Sequence, residues 1–124
     1  MRRSIYIDEF VHQNPIPNAS RIGNTIVSGL IRGVDPATAT FPPTVEQQCM
    51  FMFMHLRRTV EAGGATVEDI IKVTFWMKQL QRKPVNDEWV KMFPDPDSRP
   101  ARHTLASGTD GPGQVTCDFV AVLG

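Results

Sequence analysis

The rest of the chain is organised around the segment SRPARHTL, residues 98–105. Pro100 has no backbone N–H and favours extended geometry at the residue before it, so residues 101–105 are predicted to form a strand entered directly from a loop. Side chains alternate along a strand, which puts Arg102 and Thr104 on one face. A guanidinium beside a hydroxyl suits a carboxylate, because its planar fork of donors matches two oxygens. The alternative interpretation is a surface arginine in an ordinary ion pair.

Composition indicates a folded chain with one domain over residues 1–124. Hydrophobic residues make up 41% of the sequence and charged residues 21%, enough apolar material for a core. The 13 basic and 13 acidic residues cancel, which argues against a general nucleic-acid or membrane-surface binder. No apolar run approaches a membrane span, and no apolar signal core follows Met1. Cys49 and Cys117 lack metal-type spacing, so we expect a reduced, cytoplasmic protein.

Three strands are predicted in the N-terminal part of the chain, over residues 4–10, 19–22 and 25–31. Gly23 and Asn24 are typical of a tight turn between the second and third strands. Ser28 and Gly29 interrupt the third strand, and a glycine there indicates a bulge. Such a bulge either exposes a polar corner with a free backbone N–H or serves the backbone alone, and both interpretations stay open.

Two helices and three further strands are predicted after this region. The first helix begins after the N-cap Thr44, with Gln47 completing a capping box, and ends at Gly63 and Gly64. The second has Pro84 in its first turn and runs to about residue 93. Apolar stripes at helical spacing predict their buried sides: Val45, Cys49, Met52, Phe53, Leu56 and Val60 in the first, and Val85, Trp89, Val90 and Phe93 in the second.

The last three strands are predicted over residues 70–77, 101–105 and 114–123. In residues 70–77, the alternation puts Ile71, Val73, Phe75 and Met77 on one apolar face. The complete order is three strands, a helix, a strand, a helix and two strands. That order predicts an α+β fold with two helices on one face of a mixed or largely antiparallel sheet.

Motifs for several common chemistries are missing from the sequence. It has no glycine-rich phosphate loop, no GxSxG elbow, no HExxH and no paired CxxC. His12, His55 and His103 are isolated from one another. The sequence therefore predicts no metal site, and a serine triad would need partners that it does not reveal.

Seven segments in order resemble one known family. They are NPIPNASRIGN at 14–24, SG at 28–29, VDPAT at 34–38, EAGGA at 61–65, DIIKVTFW at 69–76, RPARHT at 99–104 and CDFVAV at 117–122. Together they are similar to the Rid family, the YjgF-type reactive-intermediate deaminases formerly labelled L-PSP endoribonucleases. Each segment alone is a weak signal, but the ordered set covers nearly the whole chain.

The resemblance implies a chorismate-mutase-like fold, with a six-stranded sheet and two helices on one face. It implies a homotrimer with pockets between subunits, and hydrolysis of imines or enamines of small carboxylates to a 2-keto acid and ammonia without a cofactor. Arg102 matches the arginine that holds the substrate carboxylate. Ser28, Gly29, Asn86 and Thr104 match positions that line the pocket, although the archetype has cysteine in place of Thr104.

Two positions depart from the family pattern. Ile16 stands where the archetype has a pocket tyrosine. The last-strand glutamate that positions the attacking water aligns with Thr116, and Asp118 follows on the same face. Threonine can hydrogen-bond a water but cannot accept its proton at neutral pH. We therefore expect Arg102, with Thr116 or Asp118, to carry the chemistry.

Other functions remain open beside imine hydrolysis. The chain can be a small-carboxylate-binding module, or a deaminase for another substrate such as an aminomuconate-like compound from aromatic degradation. An endoribonuclease is the third alternative, but zero net charge and few aromatic residues offer no evident RNA track.

Overall fold

The computed structural model describes residues 1–107 and 111–124. Its elements in chain order are β1 (Arg3–Ile5), β2 (Ala19–Ile22), β3 (Thr25–Ser28), β4 (Ile31–Arg32), α1 (Val45–Ala62), a 3-10 turn (Val67–Asp69), β5 (Ile70–Met77), α2 (Arg82–Met92), β6 (Ala101–Ala106) and β7 (Val115–Val122). In this part of the chain, neither helix has the length and apolar character that crossing a membrane would require.

The strands form one mixed sheet in the order β1-β2-β3-β7-β5-β6, with β4 also paired to β7. Every pairing is antiparallel except β5 with β6, which is parallel because the α2 crossover connects them. Both helices cover the same face of the sheet, where the buried side chains of β5 and β7 lie. The predicted α+β class, with two helices on one face of a mixed sheet, is confirmed.

The sheet has seven strands rather than six because the strand predicted over residues 25–31 divides into β3 and β4. Val27 pairs with Val120, and Ile31 pairs with Cys117. Residues 28–30 therefore oppose only residues 118–119, and this mismatch is the expected β-bulge. The β2–β3 hairpin also follows the prediction, with Ile22 paired to Thr25 and Gly23 at a φ of +56°.

The first strand ends at Ile5, so the prediction of a strand to residue 10 is wrong beyond that point. The Asn18 side chain explains the early end. Its Oδ1 accepts from the Ile7 N–H at 3.1 Å, and its Nδ2 donates to the Phe10 carbonyl at 2.8 Å. These bonds satisfy backbone groups that a neighbouring strand would otherwise pair.

Helix α1 follows its predicted stripe, and the Thr44 hydroxyl accepts the Gln47 N–H as its N-cap. At the other end, Gly64 takes the left-handed conformation with a φ of +91°. The helix also buries three polar side chains that the sequence did not single out, Gln48, His55 and Thr59. In α2, Val90 is exposed, so its place in the predicted buried stripe is wrong.

Strand β5 contains a register shift between Ile70 and Lys72. The shift buries Ile70 and leaves Ile71 53% exposed, which reverses the faces predicted for these two residues. From residue 73 onward the predicted alternation holds, since Val73, Phe75 and Met77 are all fully buried against the helices. A single bulge therefore changes the face at the start of the strand without disturbing its remainder.

Candidate functional site

Arg102 lies on β6, at the edge of the sheet. The parallel register pairs it with Val73 on β5, whose side chain faces the helices. Neighbouring residues in register share a face, so the Arg102 side chain projects toward α2. The edge strand thus carries a cation into the space between the sheet and a helix.

The Arg102 guanidinium lies against two neighbouring aromatic rings, whose centres are 6.0 Å apart. Its central carbon lies 5.5 Å from the centre of the Phe75 ring and 5.1 Å from the centre of the Trp89 ring. Both distances are within the range of cation–π attraction, and the rings limit where the guanidinium can move. The sequence placed Phe75 and Trp89 in the core, and only the β5–β6 pairing and the α2 packing show that they also support Arg102.

Thr104 fixes the orientation of Arg102, because the Arg102 Nε donates to the Thr104 Oγ1 at 3.0 Å. This bond confirms the same-face placement predicted from alternation. The two terminal nitrogens of the guanidinium have no hydrogen-bond partner among residues 1–107 and 111–124. They are the pair of donors that an incoming carboxylate would need.

No carboxylate of the described residues lies within 4 Å of Arg102. Burial is the main cause that lowers the pKa of Arg102, and the nearby charge of Arg82 lowers it further. An arginine nevertheless stays protonated at neutral pH. The site is therefore a partly buried positive charge, supported by rings and a hydroxyl, without a protein anion to balance it.

Asn86 lies on the exposed side of α2, three residues before Trp89. Residues three apart on a helix are neighbours on its surface, so Asn86 lies on the side of α2 that supports Arg102. Arg82 is four residues before Asn86 and shares this side. The structure thus joins Arg102 to Thr104, whereas Asn86 makes no hydrogen bond to either of them among the described residues.

Thr116 and Asp118 lie on the other face of the sheet. They alternate along β7 with Val115, Cys117 and Phe119, which are buried under the helices. Asp118 pairs with Thr74, and burial raises its carboxyl pKa while Lys72 opposes the shift. This half-buried face has no helix covering it.

Arg102 and Asp118 are therefore separated within one chain. Strands β6 and β7 flank β5, so the backbones of Arg102 and Asp118 lie two strand spacings, about 10 Å, apart. Their side chains point to opposite faces of the sheet. A single copy of the chain does not unite the predicted carboxylate-binding residues with the predicted water-positioning residues.

Ser28 and Gly29 form the β-bulge, and both make bonds within the chain. The buried Ser28 Oγ accepts from the Phe119 N–H at 2.9 Å, and the Gly29 N–H donates to the Asn18 carbonyl at 2.9 Å. Of the two interpretations of this bulge, the structure shows the one in which these groups support the backbone. The Ser28 hydroxyl can still donate one hydrogen bond.

Ile16 is in the loop between β1 and β2, with its side chain 45% exposed. It lines a cleft of about 250 Å³ together with Tyr6, His12, Asn14 and Asn18. His12 adds a buried ring nitrogen, Nε2, with no partner in the described part of the chain. No local pattern in the sequence predicts that this nitrogen is buried, because its burial depends on how the loop folds.

Comparison with known proteins agrees with this architecture. The sequence model of the family described as "Endoribonuclease L-PSP" matches residues 8–109. A RutC family protein from Aquifex aeolicus is 29% identical over 84 residues, covering 67% of this chain and 66% of its own length. A second RutC family protein, from Haemophilus influenzae, is 29% identical over 80 residues, covering 64% of this chain and 62% of its own.

Solved structures share the fold over almost the whole chain. A Thermotoga maritima structure superimposes with a TM-score of 0.90 at 25% identity, covering 100% of this chain and 99% of that one. The YjgF product of E. coli gives 0.87 at 24%, covering 97% and 98%. RidA from the Antarctic bacterium Psychrobacter sp. gives 0.89 at 21%, covering 98% and 99%. The chain therefore belongs to the endoribonuclease L-PSP family and has the fold of its RidA and YjgF structures.

Proposed function

We propose that this protein hydrolyses reactive imines or enamines of small carboxylates, giving a 2-keto acid and ammonia. The observation that carries the proposal is Arg102, a partly buried guanidinium that lies against Phe75 and Trp89 and has no carboxylate partner among the described residues. A buried charge is normally paired, because desolvation without compensation is costly. A substrate carboxylate would supply that compensation.

The carboxylate would bind end-on to the two terminal nitrogens of Arg102. The Nε is already bonded to Thr104, so the fork faces the substrate in one orientation. A hydrogen bond to a charged group contributes about 1.5–3 kcal/mol, and two such bonds fix both position and direction. Asn86, on the adjacent surface of α2, would offer a neutral donor and acceptor to the remainder of the substrate.

Hydrolysis then adds one water to the imine carbon. The water oxygen forms the new C–O bond while one of its protons passes to the nitrogen, which gives a carbinolamine. The second proton leaves the oxygen for the nitrogen as the C–N bond breaks, and ammonia and the 2-keto acid are released. Asp118 is the side chain proposed to accept the water proton, because a carboxylate can do so and Thr116 can only hydrogen-bond the water. An imine is already reactive, so positioning the two reactants supplies much of the rate.

A homotrimer completes this proposal, because Arg102 and Asp118 lie on opposite faces of one chain. The sheet face without helices exposes several apolar side chains, namely Ile22, Val27, Leu105 and Val122. Exposed apolar patches of this kind mark interaction surfaces. A second copy covering that face would place its β6 edge near Asp118 and Thr116, and each pocket would then form between two subunits.

The test is hydrolysis of 2-iminopropionate by wild type, Arg102→Lys and Arg102→Ala. Lysine keeps the charge but lacks the planar fork, so we expect intermediate activity for Arg102→Lys and loss of activity for Arg102→Ala. Arg99→Ala is the matched control, since Arg99 bonds only the Phe93 and Pro94 carbonyls among the described residues and should keep near wild-type activity. Equal rates for Arg102→Ala and wild type would remove Arg102 from the site.

A second candidate function is binding of small carboxylates without imine hydrolysis, or deamination of another substrate, such as an aminomuconate-like compound. The observation that favours it is the Gly29 N–H, which is already bonded to Asn18 and so does not orient a substrate. Calorimetry with 2-oxobutanoate and benzoate separates the two functions. Binding that requires Arg102, without acceleration of imine loss, would favour the second.

A cytoplasmic location is part of the same proposal. Cys49 and Cys117 are both free and buried, which suits a reducing compartment.

A further inference from the structure

A second cleft lies between α1 and α2, on the side of the sheet opposite Thr116 and Asp118. Its volume is about 450 Å³. Its apolar wall consists of Met50, Phe53, Met54 and Met92. Met50 and Met54 are 40% and 48% exposed, so two flexible thioether side chains face solvent here. Methionines adapt to ligands of varied shape, which makes this wall suitable for a small apolar group.

His55 lines the same cleft and is only 1% exposed. Its Nε2 lies 2.7 Å from the Val34 carbonyl, and because a carbonyl can only accept, Nε2 carries the proton. The other ring nitrogen, Nδ1, has no partner in the described part of the chain. Burial lowers the pKa of His55, which favours the neutral ring, and with the proton on Nε2 the Nδ1 atom is an acceptor.

Glu9 supplies a second unsatisfied acceptor to this cleft. Its Oε1 accepts from the Arg58 Nε at 3.0 Å, which fixes the carboxylate in place. Its Oε2 is buried and has no partner among residues 1–107 and 111–124. The Glu9 charge also acts to raise the pKa of His55, which shows that the two groups are near each other.

The remaining charged groups around the cleft balance one another. The positive charges of Arg57 and Lys91 are equal in number to the negative charges of Glu61 and Glu88. Lys91 also forms an ion pair with Glu88 at 3.3 Å. The rim therefore carries no net charge that would select a ligand by sign. The ligand is therefore selected by the two unpartnered atoms, Glu9 Oε2 and His55 Nδ1, which are both hydrogen-bond acceptors.

We propose that this cleft binds a small amphipathic amine. The apolar part of the ligand contacts Met50, Met54 and Met92, and its ammonium group donates to the Glu9 Oε2 and the His55 Nδ1. A carboxylate would not fit, because it has no proton to give either atom. This site is separate from Arg102 in position and in ligand chemistry, and it does not depend on the proposed imine hydrolysis.

The test follows the methionine methyl signals of the full chain by NMR during titration with phenethylamine. We expect the signals of Met50, Met54 and Met92 to shift and saturate, while Met77, buried on β5, stays unchanged. Phenylacetate has a similar apolar body but a carboxylate in place of the ammonium, and it should bind at least tenfold more weakly. No saturable shift with phenethylamine, or equal affinity for both probes, would overturn the proposal.

Two variants assign the site. Glu9→Gln replaces one carboxylate oxygen by a donor and should weaken phenethylamine binding at least fivefold, and an unchanged affinity would overturn the role of Glu9. Met54→Lys alters an exposed position, brings a cation to the cleft and should abolish the shifts of Met50 and Met92. Arg102→Ala should bind phenethylamine like wild type, and a loss of binding there would place the amine at the other site.

Discussion

Arg102 and Thr104 are joined by a 3.0 Å hydrogen bond from the guanidinium Nε to the hydroxyl oxygen, two residues apart on the edge strand β6. The bond uses the one guanidinium nitrogen that lies within the side chain, and both terminal nitrogens are without a partner in the described part of the chain. It also shows that Thr104 orients Arg102, at a position where the archetype of the Rid family has cysteine.

Thr104→Val should raise KM for a carboxylate substrate about three- to tenfold, with little change in kcat. The substitution keeps the shape of the side chain and removes one hydrogen bond, which contributes about 0.5–1.5 kcal/mol. Steady-state kinetics on 2-iminopropionate measures the split between KM and kcat. Thr104→Ser restores the hydroxyl and should recover wild-type KM. A kcat that falls while KM stays constant would show that Thr104 acts in the chemical step instead.

Asp118→Asn should make the free energy of unfolding less dependent on pH. Burial raises the Asp118 pKa above its ordinary value, so folding favours the protonated form. That stabilisation is complete below the unfolded-state pKa of about 3.9 and is lost as the pH rises through the higher folded-state pKa. Asparagine does not ionise, so the variant should lack this loss.

Urea denaturation of wild type and Asp118→Asn between about pH 3.5 and 6.5 checks this sign, since the range starts near the ordinary aspartate pKa of about 3.9 and extends in the direction of the shift. The difference in unfolding free energy should shift in favour of the variant as the pH increases. The imine-hydrolysing activity of wild type should instead increase with pH over this range, because a proton acceptor must be ionised to work. A constant difference in stability across the range would contradict the raised pKa.

Gly33→Ala should destabilise the fold by about 2 kcal/mol or more, the cost expected when a well-packed position is overfilled. A Cβ at Gly33 would overlap the backbone of Gln48 on α1, and neither backbone can move aside freely. Gly29→Ala is the matched control, because its Cβ would meet only the Asn18 and Pro17 carbonyls at 3.8 and 3.9 Å. Thermal and urea unfolding of both variants measures the contrast. Equal stability of the two variants would contradict the close approach of β4 to α1.

Cys49 and Cys117 should not react with a thiol reagent in the folded protein at pH 8. Burial raises the pKa of Cys49 to about 12 and the pKa of Cys117 well above its ordinary value, and the thiolate is the reactive form. Both thiols should react fully in guanidinium chloride. Colorimetric titration with Ellman's reagent counts the reactive thiols in each state. Fast reaction of either thiol without denaturant would show that its element opens readily.

Local patterns in the sequence were sufficient for much of the architecture. Helical spacing predicted the buried stripe of α1, and alternation predicted that Val73, Phe75 and Met77 share a face of β5. Gly23 and Asn24 predicted the hairpin, and Ser28 with Gly29 predicted the bulge. Each of these features depends on residues within one or two turns of chain, where backbone geometry sets the period of the side chains.

The site depended on pairings between distant segments. The sequence placed Arg102 beside Thr104, but the parallel pairing of β5 with β6 directed both toward Phe75 and Trp89. The position of β5 between β6 and β7 put Asp118 on the other face. A bulge exchanged the faces of Ile70 and Ile71, and packing between distant segments buried polar side-chain atoms of Glu9, His12 and His55.

By itself, then, the sequence determined which side chains of each strand or helix share a side, because that follows from the backbone repeat alone. Only the tertiary structure decided which side meets which neighbour, because strand register and loop packing are set by contacts between residues far apart in the chain. That is why Arg102 was recognisable in the sequence as a candidate for carboxylate binding, whereas its aromatic support and its separation from Asp118 were not.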